Sequence, residues 1–326
     1  MLLSLLSITA CYDPEPKSPM LITNKFKEGF VESDSVKLQY LDWGGEGPVL
    51  ILLTGLGDTP FLFEDLAVAL SPRYRVIGYS RRDHGKSESK EKKYDTETLV
   101  ADLKLLVDSL KIDKANLLGW SMGGNEITEF AALYPGRVDK LIYFEAGYDL
   151  SDGGFAKIIA AMPQSYLPDS TVVSSLDNYR EWYHRFWFGD AAWNKAMEDN
   201  LQVSVKVAQD GSIKAIPADD VFRSILNEAM SYRRKYEQVQ APSLVIYTQP
   251  FFHSSDNDPA TIKIYDSIEN NIVVPWRTVN RKRIAQELRN AMIVDAPAGS
   301  HTSFLFLSND FLAKTIIEFL ASEKSK

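Results

Sequence analysis

Cysteine is nearly absent from this chain of 326 residues: Cys11 is the only one. No intramolecular disulfide can therefore form, and no paired-cysteine metal motif exists. The H-E-x-x-H and P-loop patterns are missing as well, so zinc-peptidase and nucleotide chemistries lose their support. Lysine and arginine total 36 against 44 acidic residues, a net charge of −8 with no basic tract. That balance excludes the electrostatic footprint of a nucleic-acid partner, and Lys90-Glu91-Lys92-Lys93 reads as a solvated loop. No apolar run is long enough to span a bilayer, and no internal repeat or low-complexity segment occurs. Histidine is scarce too, at four, which leaves few candidate bases. What remains is ordinary for a soluble globular protein: 45% hydrophobic and 25% charged residues, in a chain long enough for one large α/β domain with an insertion or for two domains.

The pattern along the chain is rhythmic. Residues 26–42 alternate loosely, as two antiparallel edge strands joined near Ser33-Asp34-Ser35. Val49-Leu50-Ile51-Leu52-Leu53 is a continuous apolar run, expected of a strand covered on both faces. A helix is predicted over 63–70, a strand over 75–79, and an amphipathic helix over 96–110 with Leu99, Leu103, Leu106, Val107 and Leu110 inward. Strands follow at 115–118, 141–144, 243–247 and 291–294, with helices over 124–134 and 310–321. Such alternation predicts a mainly parallel sheet with helices on both faces. The rhythm breaks over 147–240, which is aromatic-rich and predicted to be a mostly helical cap insertion with a short hairpin around Asp210-Gly211.

Gly119-Trp120-Ser121-Met122-Gly123 lies between a predicted strand and a predicted helix, the setting of a G-x-S-x-G nucleophile elbow. A serine on so sharp a turn needs small neighbours, which Gly119 and Gly123 supply. The helix that follows presents N–H groups and its positive end to a developing oxyanion.

With Leu53-Thr54-Gly55-Leu56-Gly57-Asp58, Ser80-Arg81-Arg82-Asp83-His84-Gly85-Lys86-Ser87 and Gly299-Ser300-His301, the elbow makes residues 25–322 resemble an α/β-hydrolase. The resemblance implies an α/β-hydrolase fold with a core over 25–146 and 241–326 and a cap over 147–240. It implies Ser121 as nucleophile and His301, after the last strand, as its base. His84 is expected to shape its loop, and His184 and His253 to be packing or surface residues. Relatives often carry the acid nine residues after a strand-initiating Pro, but counting from Pro242 reaches Phe251. Some subfamilies take it from the preceding strand's end, here Glu145; Asp258 or Asp256 could reach instead through a longer loop. The resemblance assigns the oxyanion hole to the backbone N–H groups of Leu56 and Met122, although Thr54 stands where relatives usually have His.

These residues imply a carboxylic ester hydrolase acting on a small, apolar substrate through an acyl-enzyme on Ser121, with no metal or organic cofactor. Phe251, Trp182, Phe186 and Trp187 are the candidate substrate-lining residues, with packing of the cap's own core as the other use of such aromatics. The other readings are an aminopeptidase of the proline-iminopeptidase type, using Glu181, Asp190 or Glu198, and a hydrolase-fold binding protein without turnover. Ahead of this, residues 1–24 form a candidate signal and tether. Ile8-Thr9-Ala10-Cys11 resembles the lipobox of bacterial lipoproteins, which implies export and lipid anchoring at the cell envelope through Cys11. No Lys or Arg precedes the apolar residues 1–10, and ten residues are short for a signal, so a cytoplasmic enzyme is the other expectation.

Overall fold

Apolar runs become the interior of a single large sheet. The computed structural model describes residues 25–163, 167–189, 191–252, 259–288 and 290–322. Cys11, Asp190, His253, Asp256 and Asp258, all named above, lie outside the described residues. The first seven strands are β1 (Lys27–Glu32), β2 (Val36–Gly44), β3 (Val49–Leu53), β4 (Arg75–Tyr79), β5 (Glu88–Ser89), β6 (Ala115–Trp120) and β7 (Val138–Phe144). Helices α1 (Glu64–Leu70), α2 (Thr96–Ser109) and α3 (Gly123–Leu133) connect them. From β7 the chain passes through α4 (Gly154–Ala161), α5 (Leu176–Tyr183), α6 (Lys195–Val203), the hairpin β8 (Val205–Val207) and β9 (Ile213–Ala215), and α7 (Asp219–Ser231). It re-enters the sheet as β10 (Ser243–Tyr247), then forms α8 (Pro259–Ile268), α9 (Val274–Glu287), β11 (Ala291–Asp295), α10 (Phe304–Leu307) and α11 (Asn309–Ala321).

The strand order is β1-β2-β4-β3-β6-β7-β10-β11, with β5 beside β2. The pairs from β4 to β11 are parallel, and β2 runs antiparallel to β1, β4 and β5. Only one of the two predicted edge strands is an edge. Strand β1 is, and its Lys27, Glu28 and Glu32 guard it with charge. Strand β2 is interior because it pairs on both sides. From β3 the chain steps outward to β4, then returns past β3 to β6. That reversal opens a crevice beyond the carboxyl ends of β3 and β6, where ligands of open α/β sheets bind.

Alternate residues of the central strands feed two apolar cores, one on each face. Ile51, Leu53 and Leu117 join one; Leu50, Leu52, Leu118 and Trp120 join the other. Each such side chain, fully buried, contributes about 1.5–3 kcal/mol. Residues between β7 and β10 pack into the same cores: Val221, Ile225 and Ala229 into the first, Tyr183, Phe188, Met197 and Leu201 into the second. Helices α8 and α9 are not among the elements predicted from the sequence. The buried positions of α9 are Trp276, Arg277, Asn280 and Ile284, so half of its inner face is polar and an apolar stripe is missing.

Candidate active site

Strands β6 and β7 end in the same way. The residue after each takes a left-handed backbone, φ +53° at Ser121 and +43° at Glu145, in a region that L side chains seldom occupy. Their N–H groups prolong the ladder: Ser121 donates to Phe144 O at 2.9 Å and Glu145 to Ile246 O at 2.8 Å. Two strained residues thus stand side by side at the crevice, held by the sheet itself. The turn at Ser121 closes because its flanking glycines lack Cβ atoms. One at Gly119 would lie 2.5 Å from Gly123 O, and one at Gly123 would lie 2.8 Å from Leu53 O.

The loop after β11 brings His301 to both residues. Its Nε2 is 2.9 Å from Ser121 Oγ, and its Nδ1 is 3.2 Å from Glu145 Oε2. Trp120 Nε1 donates to His301 O at 3.0 Å, and His301 N to Phe251 O at 3.0 Å, fixing the loop. Glu145 is fully buried, and all its acceptor directions are used. Oε1 accepts from Thr248 N and, at 2.9 Å, from Arg277 Nη2; Oε2 also accepts from Tyr148 Oη at 2.9 Å. Burial would raise this carboxyl, but the Arg277 charge and the donors from His301 and Thr248 overcome it and hold the group below the usual carboxylate range. The residue counted from Pro242 in the acid's place, Phe251, instead stacks on the His301 ring at 4.3 Å between centroids.

The loop after β3 lies against Ser121: a Cβ on Gly55 would sit 3.5 Å from Ser121 Cβ. Leu56 follows in that loop, and Met122 is the N-cap of α3, where the first N–H groups lack intrahelical acceptors. Three sets of side chains hold residues 54–59. Arg81 donates to the carbonyls of Thr54 and Gly55. His84 Nε2 accepts from Gly57 N at 3.3 Å, while Nδ1 faces Arg82 O at 3.0 Å. Those roles require a neutral ring protonated at Nδ1, and burial with the Arg81 charge pushes His84 down to about 4. From the segment between β7 and β10, Tyr183 Oη donates to Asp58 Oδ1 at 2.8 Å, and Asn200 Oδ1 accepts from Thr59 N at 2.8 Å. Burial raises the Asp58 carboxyl to about 6, against the hydrogen bonds from Tyr183 and Asn200 and the Arg81 charge.

The predicted lining residues divide. Phe251 adjoins His301, but Trp182 and Phe186 stack on each other at 5.2 Å, Trp182 also meets Tyr179, and Phe186 meets Trp187 edge-on. Trp182 and Trp187 also pack against the sheet's second core; Trp187 approaches the site through its carbonyl, which accepts from Thr302 Oγ1. His184 bonds Ala191 O at 2.7 Å and packs on Trp193. Glu198 is engaged by Arg180 and Trp193, and Glu181 is exposed, so neither is poised for an amino terminus. Sequence patterns missed Arg234 and Arg277, and gave Arg81 no role although it lies in the Ser80–Ser87 motif. All three are buried, and Arg234 donates to Ser121 O, Ala146 O and Asn125 Oδ1, tying the elbow to the chain after α7. Nothing local distinguishes a buried arginine from a surface one.

Sheet order, crevice and site together are those of a hydrolase class, and the match extends to sequence. Residues 48–265 fit the alpha/beta hydrolase fold family, and the chain belongs to that family. A provisionally named carbamate hydrolase of Caulobacter sp. strain K31 is 24% identical over 294 residues, 84% of this chain and 91% of that one. An uncharacterized protein of Mycobacterium tuberculosis is 29% identical over 119 residues, so the match spans 36% of this chain and about a third (35%) of that relative's length. The crystal structure of E-2-(acetamidomethylene)succinate hydrolase superposes with a TM-score of 0.64 at 17% identity, covering 91% of this chain and 100% of that one, a likeness of fold.

Proposed function

We propose that the chain is a serine hydrolase that cleaves a carboxylic ester through an acyl-enzyme on Ser121. The observation that carries this reading is the hydrogen-bonded series Ser121–His301–Glu145 at the sheet's crevice. His301 Nε2 takes the Ser121 proton as Oγ attacks the ester carbonyl. The oxyanion is met by the Leu56 and Met122 N–H groups, each worth about 2.7–4 kcal/mol in the transition state. His301 returns the proton to the departing alcohol, then activates water to release the acid and free Ser121. Glu145 fixes the imidazole tautomer and stabilises the imidazolium. Each step uses this chain's own groups. A carboxylate already within reach of His301 weighs against a binding protein that has lost turnover.

The test is hydrolysis of p-nitrophenyl esters of increasing acyl length by the chain and by Ser121→Ala. We expect turnover by the chain, a loss on the order of 10⁶-fold in the variant, and an optimum at short acyl lengths. Equal rates for the two proteins on every ester would refute the reading. Release of naphthylamine from proline-β-naphthylamide with no ester turnover would replace it with the aminopeptidase.

A further inference from the structure

The loop that carries Leu56 is gripped by a cation. Arg81 follows β4 and its side chain is 2% exposed. Its Nη1 donates to Gly55 O at 2.7 Å, its Nη2 donates to Thr54 O, and its Nε donates to Glu126 Oε1. Glu126 stands in the first turn of α3, the helix that opens at Ser121, and its Oε2 accepts from Tyr79 Oη at 3.0 Å.

Gly55 C=O and Leu56 N–H are the two ends of one planar peptide group. In the trans form they point in opposite directions, so whatever holds the oxygen aims the hydrogen. A guanidinium at the oxygen also draws amide electron density toward itself, which leaves the N–H more positive and a stronger donor. Given Ser121 as nucleophile and Leu56 as oxyanion donor, we infer that Arg81 is a positioning residue that orients and polarises the Leu56 N–H toward the tetrahedral oxyanion. Its bond to Glu126 joins this donor to the helix that carries the other, Met122, so that the two N–H groups keep one spacing. Glu126 also balances the guanidinium charge, leaving Arg81 to act through the peptide rather than as a counter-ion to the substrate.

Arg81→Met alone strands the Glu126 carboxylate without its cation, and this variant is expected to lose folded yield. Arg81→Met/Glu126→Gln removes both charges and is the working variant, with Arg81→Lys as the conservative one. On p-nitrophenyl acetate the double variant should lose about 10–100-fold in kcat with KM within about twofold, part of the 10²–10³ that an entire oxyanion donor supplies. Arg81→Lys keeps a cation able to reach one carbonyl and should fall between it and the parent. A merely structural brace would instead lower Tm or raise KM with kcat kept. A folded double variant with the parent's kcat, or a loss confined to KM, overturns the inference.

Phosphonylation by a p-nitrophenyl alkylphosphonate, read as a mass increase at Ser121, separates this from failure of the esterase reading. Labelling of the parent with equal rates in the double variant sinks the role of Arg81 alone. A parent that neither turns over esters nor takes the label sinks the serine-hydrolase reading, and the role of Arg81 with it.

Discussion

In the proposed mechanism Glu145 has two tasks that pull against each other. It must remain ionised to hold an imidazolium, yet it is fully buried, where a lone carboxylate would take up a proton. Arg277, Thr248 N and Tyr148 settle the conflict by filling its lone pairs. Glu145→Gln keeps the size but offers His301 an amide that can present N–H instead of an acceptor. We expect kcat to fall about 10⁴-fold on the best p-nitrophenyl ester, and Tm to fall as well, because buried Arg277 loses its partner charge. A loss under tenfold would remove Glu145 from the mechanism. Ser121 was readable in the sequence because the elbow needs small residues at fixed spacing. Glu145 was readable as one option among three, since a strand's end can be located while its facing partner cannot. Arg277 was not readable at all: its helix has a half-polar inner face and gives no periodic signal.

The loop from Thr54 to Thr59 is short, yet side chains from two distant stretches of chain converge on it. Its glycines marked it as a turn after β3, and nothing in its composition revealed that Asp58 is buried. Asp58 makes the loop's contribution to stability depend on pH. Its carboxyl rises from 3.8 to about 6 on folding. Between about pH 4 and 6 the unfolded chain has released this proton while the folded chain retains it, so stability falls as pH rises through that window. Above it the cost is constant, on the order of 3 kcal/mol. Asp58→Asn keeps an acceptor for Tyr183 and removes the titration. Urea denaturation should find the variant more stable at pH 8, by up to about 3 kcal/mol, with the gap closing toward pH 4. His84 runs the opposite way: held neutral with a value near 4, it costs stability as pH falls below its ordinary 6.5. Both proteins share it, so the difference between them isolates Asp58. A pH-independent gap would refute the assignment.

Across the whole chain, the strand alternation predicted the parallel sheet, and its rhythm breaks over the segment between β7 and β10. What the pattern could not convey is how firmly that segment is joined to the rest. Among the described residues, buried apolar side chains such as Tyr148, Ile158, Met197 and Ile225 join the two clusters of the sheet, and Tyr183, Asn200 and Arg234 hydrogen-bond to the crevice loops. We therefore expect a single unfolding transition in urea. Tryptophan fluorescence, to which Trp182, Trp187 and Trp193 contribute from this segment, should coincide with far-ultraviolet circular dichroism, which follows the whole molecule. A fluorescence transition at lower urea would mean that the segment melts independently.

Ser121 and its proposed base, His301, stand 180 positions apart in the chain. At roughly 5–20 residues per second, a ribosome needs roughly 9–36 s to travel from one codon to the other. Through that interval the growing polypeptide holds a serine with no partner to take its proton, however much of the sheet has formed. On the proposed mechanism, messages cut short before the codon for His301 yield inert products, because, of the three site residues, this one is translated last.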